Sequence, residues 1–202
     1  MNEPEFGKII LASASPRRSE LLGRANVPFE VEVSRAQEDN DPDADPREAV
    51  LANARLKAEE VARRFPGRLV LGADTVVAFG GKVFGKPKDI ADAKRMLGIL
   101  NGNTHSVFTG VAAVCAKPDG AAEIEADVEE SKVTFKKLSP EGIDEYLSKV
   151  NTLDKAGSYA AQEFGELIIE RIDGAFDNVM GLPCALAQKK LDTLGKRVQD
   201  AH

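Results

Sequence analysis

The chain has 202 residues, 43% hydrophobic and 30% charged with no biased tract, which is enough to bury a core and too mixed for disorder, a collagen-like repeat or a coiled coil. Its net charge of −6 excludes a broad electrostatic grip on a nucleic-acid polymer, which needs surplus Lys and Arg to displace counterions, so any polyanion it binds must be small and met by a local basic pocket. The acidic start, Met1 to Gly7, lacks the parts of a signal peptide, and no apolar run approaches the roughly 18 residues of a membrane span, which predicts a cytoplasmic protein with no membrane partner.

Cys115 and Cys184 lie outside any Cys-x-x-Cys spacing and are expected to be buried, reduced thiols. His105 and His202 cannot form a histidine-rich metal site, so a metal here should be a hard ion bound by oxygen.

The apolar run Lys8 to Ala12 predicts a buried strand, broken by small hydroxylic residues before an amphipathic helix. Ser15 suits the N-cap, where its hydroxyl accepts from a free backbone N–H, and Pro16 suits the first helical position. Free amides, the positive helix end, the Ser13 and Ser15 hydroxyls and the guanidiniums of Arg17 and Arg18 would converge on one anion, most naturally a phosphate. The same residues also describe a capped surface helix with two solvated arginines. Gly23 is placed to weaken or end the helix.

Residues 29–33 alternate with period two and predict a half-exposed strand, followed by an acidic loop from Ser34 to Asp45. In that loop Glu38, Asp39, Asn40 and Asp41 are either a solvated acidic stretch or a source of one metal carboxylate, Glu38 being the candidate. Asp45-Pro46-Arg47-Glu48 has a capping-box pattern and opens a helix to about Phe65, with an apolar stripe through Val50, Ala54, Ala58 and Val61. Lys57 falls on that stripe. Either its stem packs while the ammonium reaches the rim, or the ammonium points into a phosphate-holding cleft.

The apolar run from Arg68 to Ala73 is interrupted by Asp74-Thr75 before Val76 to Phe79 resumes. A carboxylate flanked by strand residues is the least expected placement in the chain, because buried Asp is rare unless paired or bound to metal. Gly80-Gly81 predicts a hairpin turn into Lys82-Val83-Phe84, and Gly85-Lys86-Pro87 sets another lysine on a constrained backbone. Asp89 caps a structural helix with the stripe Ile90, Ala93, Leu97 and Leu100. Residues 104–116 and 122–138 flank Pro118-Asp119-Gly120 and should form a long hairpin. Ser139-Pro140-Glu141 starts a further helix.

In residues 154–162 small residues that admit a ligand alternate with polar ones that could read it, and Gln162, with both donor and acceptor, is the natural base reader. Leu167 to Ile172 predicts a strand, and Gly181-Leu182-Pro183 leads into a last helix ending at Gly195. With no repeat and no linker, residues 1–202 should form one mixed α/β domain.

Taken together, Ser13-Ala14-Ser15-Pro16-Arg17-Arg18, Gly72-Ala73-Asp74-Thr75, Gly85-Lys86-Pro87, residues 105–110, Asp154-Lys155-Ala156-Gly157 through Gln162, and residues 178–183 resemble the Maf family in order over nearly the whole chain. The resemblance implies a nucleoside triphosphate pyrophosphatase with an α/β fold: a mixed elongated sheet flanked by helices, two lobes and a central cleft, similar to the inosine triphosphate pyrophosphatases. Residue by residue it makes Asp74 the catalytic base, Ser13, Arg18, Lys57 and Lys86 the phosphate-side set, and Arg17, Thr75 and Gln162 the specificity positions. A divalent cation, Mg²⁺ or Mn²⁺, is implied, with Glu38 and Asp74 as its candidate ligands.

Gln37 stands where the family often has an acid, and Asn151-Thr152-Leu153 replaces its usual Gly-Glu-Pro. Pro16-Arg17 in direct sequence, Thr75 and Gln162 are similar to the dTTP/UTP pyrophosphatase branch rather than to the one acting on 7-methyl-GTP. The expected partner is a nucleoside triphosphate, and a homodimer is compatible with these features. The rival reading is a nucleotide-binding regulator of cell division, sharing the same pocket.

Overall fold

The structure, a computed structural model, describes residues 7–39 and 41–200. The expectations that fall on Met1 to Phe6, Asn40 and His202 lie outside the described residues. The order of elements is β1 (Ile9–Leu11), α1 (Pro16–Arg24), β2 (Phe29–Val31), α2 (Pro46–Arg64), β3 (Val70–Phe79), β4 (Lys82–Phe84), α3 (Ile90–Leu100), β5 (Thr104–Ala116), β6 (Ala122–Phe135), α4 (Pro140–Lys149), a 3₁₀ turn (Ala156–Ser158), α5 (Gly165–Ile168), β7 (Ile169–Asp173), α6 (Phe176–Met180) and α7 (Cys184–Asp200). None of the described helices is long and apolar enough to cross a membrane.

One sheet runs β2-β1-β3-β5-β6-β7, with β4 on β3. β1 is parallel to both neighbours, because helical crossovers return the chain to the same end, and the remaining pairs are antiparallel. The mixed α/β expectation holds. Asp74-Thr75 does not interrupt a strand, however. β3 runs straight through, paired with β5 from Val70↔Val114 to Ala78↔Ser106, because the continuous ladder with long β5 outweighs the poor strand propensity of one Asp.

Successive residues of a strand face opposite sides, and this sorts the core. On one face, Leu71, Ala73, Val111 and Ala113 pack with Leu21 and Leu22 of α1 and Ala187, Leu191 and Leu194 of α7. Farther along the same face, Val77 and Val107 pack with Met96, Leu97 and Leu100 of α3 and with Ile143 and Tyr146 of α4. Between these two apolar clusters lies the polar cross-strand pair Thr75–Thr109, so the clusters are separated along a shared sheet. The other face is covered by α2, whose Ala54, Ala58 and Val61 meet Val70, Ala112 and Val114, while its Val50 meets Val76 and Phe108.

α2 lies unusually close to the sheet. A Cβ on Gly72 would sit 2.4 Å from the Ala54 carbonyl oxygen, and one on Gly110 would sit 2.3 Å from that of Val50. Only glycine admits this approach.

Several boundaries differ from the sequence reading. β2 stops at Val31. Gly23 is inside the last turn of α1, and Gly195 is buried within α7, which continues to Asp200 because its apolar stripe continues. Leu167 and Ile168 belong to the short α5, so β7 begins only at Ile169, and α6 was not anticipated. In α3 it is Met96 that completes the buried stripe, while Ile90 is 53% exposed at the first turn. Both cysteines are free, and Cys184 is half-buried rather than buried.

Candidate active site

β3 pairs with β1 only through Val70 and Leu71, and with β4 only from Val77 onward. On that side its edge from Gly72 to Val76 has no strand neighbour among the described residues, which leaves an opening in the sheet. Ser13 just beyond β1, Arg18 of α1, the buried face of α2 and Gly181 at the end of α6 all come to this opening.

On the α2 face, Asp74 is held from both sides, with its side chain 10% exposed. Lys57 Nζ lies 2.8 Å from Asp74 Oδ1 and 3.0 Å from Glu38 Oε1, and Asn53 Nδ2 donates to Asp74 Oδ2 at 3.1 Å. Lys57 therefore does not run out to the rim. It turns inward and joins two carboxylates, and the trio keeps a net negative charge that suits a divalent cation.

On the opposite face, Arg18 spreads its fork over three acceptors: Nε to the Gly181 carbonyl (2.9 Å), Nη1 to Ser13 Oγ (3.2 Å) and Nη2 to Thr75 Oγ1 (3.2 Å). Thr75 Oγ1 also meets Thr109 Oγ1 at 3.0 Å. Burial lowers the pKa of the Arg18 guanidinium and nearby Asp74 raises it, but a guanidinium stays charged throughout. Ser15 is the N-cap by position only, since its hydroxyl makes no capping bond. Its own N–H donates to Ser13 Oγ at 3.2 Å, so Ser13 organises the turn.

A neighbouring hollow is lined by Arg17, Lys155, Tyr159, Gln162, Val77 and Val107, among others. Arg17 Nη1 reaches Asp154 Oδ2 at 2.7 Å, and Lys155 Nζ takes Asp154 Oδ1 at 2.9 Å. Partial burial raises the pKa of the Asp154 carboxyl, but the hydrogen bonds from Lys155 and Arg17 outweigh it and hold the group below the usual carboxylate value. Gln162 Nε2 donates to Glu163 Oε1 at 3.2 Å, which leaves its carbonyl oxygen and a second N–H for a ligand.

The structure thus brings together Ser13, Arg18, Thr75, Asp74, Lys57 and Glu38 at the opening, and Arg17 with Gln162 at the hollow beside it. Lys86 is exposed and contacts neither group. Its loop is moored nearby through the Gly85 carbonyl, which accepts from Gly157 N at 3.1 Å. Sequence reasoning missed Asn53 and Lys155. Asn53 had a signal, being a polar residue four before Lys57 on the same buried helix face.

Among the described residues, no group of three or more His, Cys, Asp or Glu side chains is arranged to hold a metal. Two hard carboxylates converging on Lys57 Nζ nevertheless fit a Mg²⁺-type site, in which one or two carboxylates are completed by substrate phosphates.

Residues 8–194 match the Maf-like protein family. A dTTP/UTP pyrophosphatase from Gloeobacter violaceus is 44% identical over 191 residues, covering 95% of this chain and 98% of its own. One from Bacillus cytotoxicus is 45% identical over 184 residues, covering 91% and 94%. Among solved structures, the Staphylococcus aureus Ham1 protein shares 14% identity over 96% of this chain and 100% of its own, with a TM-score of 0.43. That last likeness is remote, and the fold rests on the sheet order described above. The family match spans nearly all of the described residues, and the chain belongs to the Maf family.

Proposed function

We propose that this chain hydrolyses nucleoside triphosphates, dTTP and UTP first, to the monophosphate and pyrophosphate, as a cytoplasmic enzyme that keeps nucleotide pools clean. The observation that carries the reading is Asp74, a carboxylate in the sheet opening between Lys57 and Asn53, with the Arg18 cluster on the next residue's face. The printed function of the curated relatives supports the same substrate class. The two apolar clusters share β3 and β5, which supports reading the chain as one domain with two lobes.

A triphosphate resists attack by water because its oxygens repel the nucleophile, so cations must neutralise that charge. Arg18 and Lys57, with Lys86 from its exposed loop, serve this role, and Ser13 orients Arg18. Asp74 takes the proton from the attacking water. Asp74 and Glu38 would hold a divalent cation, which would supply further neutralisation of the phosphate charge. Arg17, Thr75 and Gln162 select the base. The Gln162 amide pairs with the carbonyl and N–H edge that thymine and uracil share, whereas cytosine reverses both positions, with an acceptor at N3 and an amine donor at C4.

The test is a panel of nucleoside triphosphates assayed for pyrophosphate release with Mg²⁺, Mn²⁺ or Co²⁺. We expect dTTP and UTP to have the highest kcat/KM, CTP to be weaker and purines to be poor. If 7-methyl-GTP or ITP came first, the specificity would be wrong and the enzyme class right. Nucleotide binding without turnover of any nucleotide would favour the regulator.

A further inference from the structure

We propose that Asn53 is a positioning residue that latches the loop carrying Glu38 onto the Asp74 carboxylate, so that both acids reach a cation as one preformed unit. The catalytic part of this inference rests on the pyrophosphatase reading, and the latch itself does not.

Asn53 is 3% exposed on the sheet-facing side of α2, where the stripe is apolar apart from Asn53 and Lys57. Its amide is used in three directions. Oδ1 accepts from Asp39 N at 3.1 Å, and Nδ2 donates to the Asp39 carbonyl at 2.8 Å and to Asp74 Oδ2 at 3.1 Å. The first two bonds copy the exchange between paired strands, on a stretch of chain with no strand partner among the described residues. Asp39 follows Glu38 directly, so fixing the Asp39 backbone fixes where the Glu38 side chain departs. The third bond ties that backbone to one Asp74 oxygen, while Lys57, one turn along α2, takes the other oxygen and Glu38 itself. A buried Asn that served packing alone would not need to span two elements that each present an acid to the same lysine.

Removing the amide leaves the Asp39 N–H, the Asp39 carbonyl and Asp74 Oδ2 each short of a partner. The loop then loosens, and the two acids no longer hold their spacing. Partners of metal ligands are worth roughly 10- to 100-fold in metal affinity or activity, and a comparable loss is expected here.

The experiment compares the full-length wild type with Asn53→Leu, which keeps the branched shape and deletes the amide. Amide hydrogen exchange should show Asp39 protected in the wild type and released by at least about tenfold in the variant, with the β3–β5 ladder unchanged. Mn²⁺ titrated into each protein and followed by electron paramagnetic resonance should bind roughly 10- to 100-fold more weakly to the variant. Glu38→Gln should weaken Mn²⁺ binding less in the Asn53→Leu background than in the wild type, because the two residues act as a unit. Unchanged exchange and Mn²⁺ binding in a folded variant would make Asn53 a packing residue. If the variant did not fold, an unprotected Asp39 amide in the wild type would overturn the latch by itself. Expected exchange and Mn²⁺ results in a wild type that turned over no nucleotide would leave the latch standing and remove the pyrophosphatase reading.

Discussion

Arg17 and Asp154 stand 137 positions apart in the chain and meet at 2.7 Å, joining the first turn of α1 to the loop that carries Gln162. A second bond from Arg17 Nη2 to the Asp154 carbonyl, at 3.2 Å, holds the guanidinium at the hollow that Gln162 also lines. Asp154→Ala should let Arg17 swing away while leaving the phosphate side intact. We expect KM for UTP to rise about tenfold, kcat to change by no more than about twofold, and discrimination against CTP to weaken. Steady-state kinetics on both nucleotides check this. An equal fall in kcat would place Arg17 at the reacting phosphate instead.

Asp74→Asn keeps the side-chain shape and removes the base. Turnover should fall about 100- to 10,000-fold, while binding of dTTP, measured by calorimetry, stays nearly unchanged because Arg18 and Lys57 remain. Equal losses of binding and rate would make cation holding, already given to Asp74 with Glu38, its whole role and remove the proton transfer.

His105 gives a pH-dependent term in stability. It is buried against Phe135 and Tyr159, its Nε2 lies 2.9 Å from Tyr159 Oη, and burial lowers its pKa from 6.5 to about 4. The unfolded chain therefore takes up this proton first. The contribution is whole above pH 6.5 and is lost as the pH falls toward about 4, amounting to about 3 kcal/mol. Urea unfolding from pH 8 to 4 should show this slope in the wild type, and His105→Phe should flatten it by that amount.

Gly110→Ala tests the closeness of α2 to the sheet. The new Cβ would lie 2.3 Å from the Val50 carbonyl oxygen and 2.5 Å from its carbon, both backbone atoms that cannot rotate away. We expect a loss of roughly 1–3 kcal/mol, which for a chain of this size lowers Tm by roughly 2 to 12 °C. Activity at a permissive temperature should fall further than stability, since Gly110 is the cross-strand partner of Asp74.

Lys57 and Asp74 are legible in the sequence because each is a charge in an apolar pattern, and such a break needs a partner. Their pairing with each other is not legible, since it depends on how α2 crosses β3. Asp45 and Asp89 are readable as helix caps because capping is local, and their carboxylates do accept from the first-turn amides. Ser15 fits the same local rule, yet its hydroxyl does not cap, because Ser13 already holds its N–H. The continuity of β3 through Asp74 and of α7 through Gly195 is set by neighbouring elements rather than by propensity, and these are the boundaries that sequence misplaces. Asn53 is the instructive omission, because its helix position was known and its loop partner has no pattern to read.

Asp74 and Thr75 are adjacent along the chain and yet look out on opposite sides of the sheet, so the acid belongs to α2 and the hydroxyl to Arg18 solely through strand parity. A frame change of one residue within β3 would swap them, handing the carboxylate to the guanidinium and the hydroxyl to the lysine. An inserted residue at the Pro118-Asp119-Gly120 tip moves neither, because it falls beyond the end of the β5–β6 ladder. Tolerance of insertions and deletions should therefore be very uneven along this chain: permissive at the hairpin tip, and close to nil across the ten residues of β3.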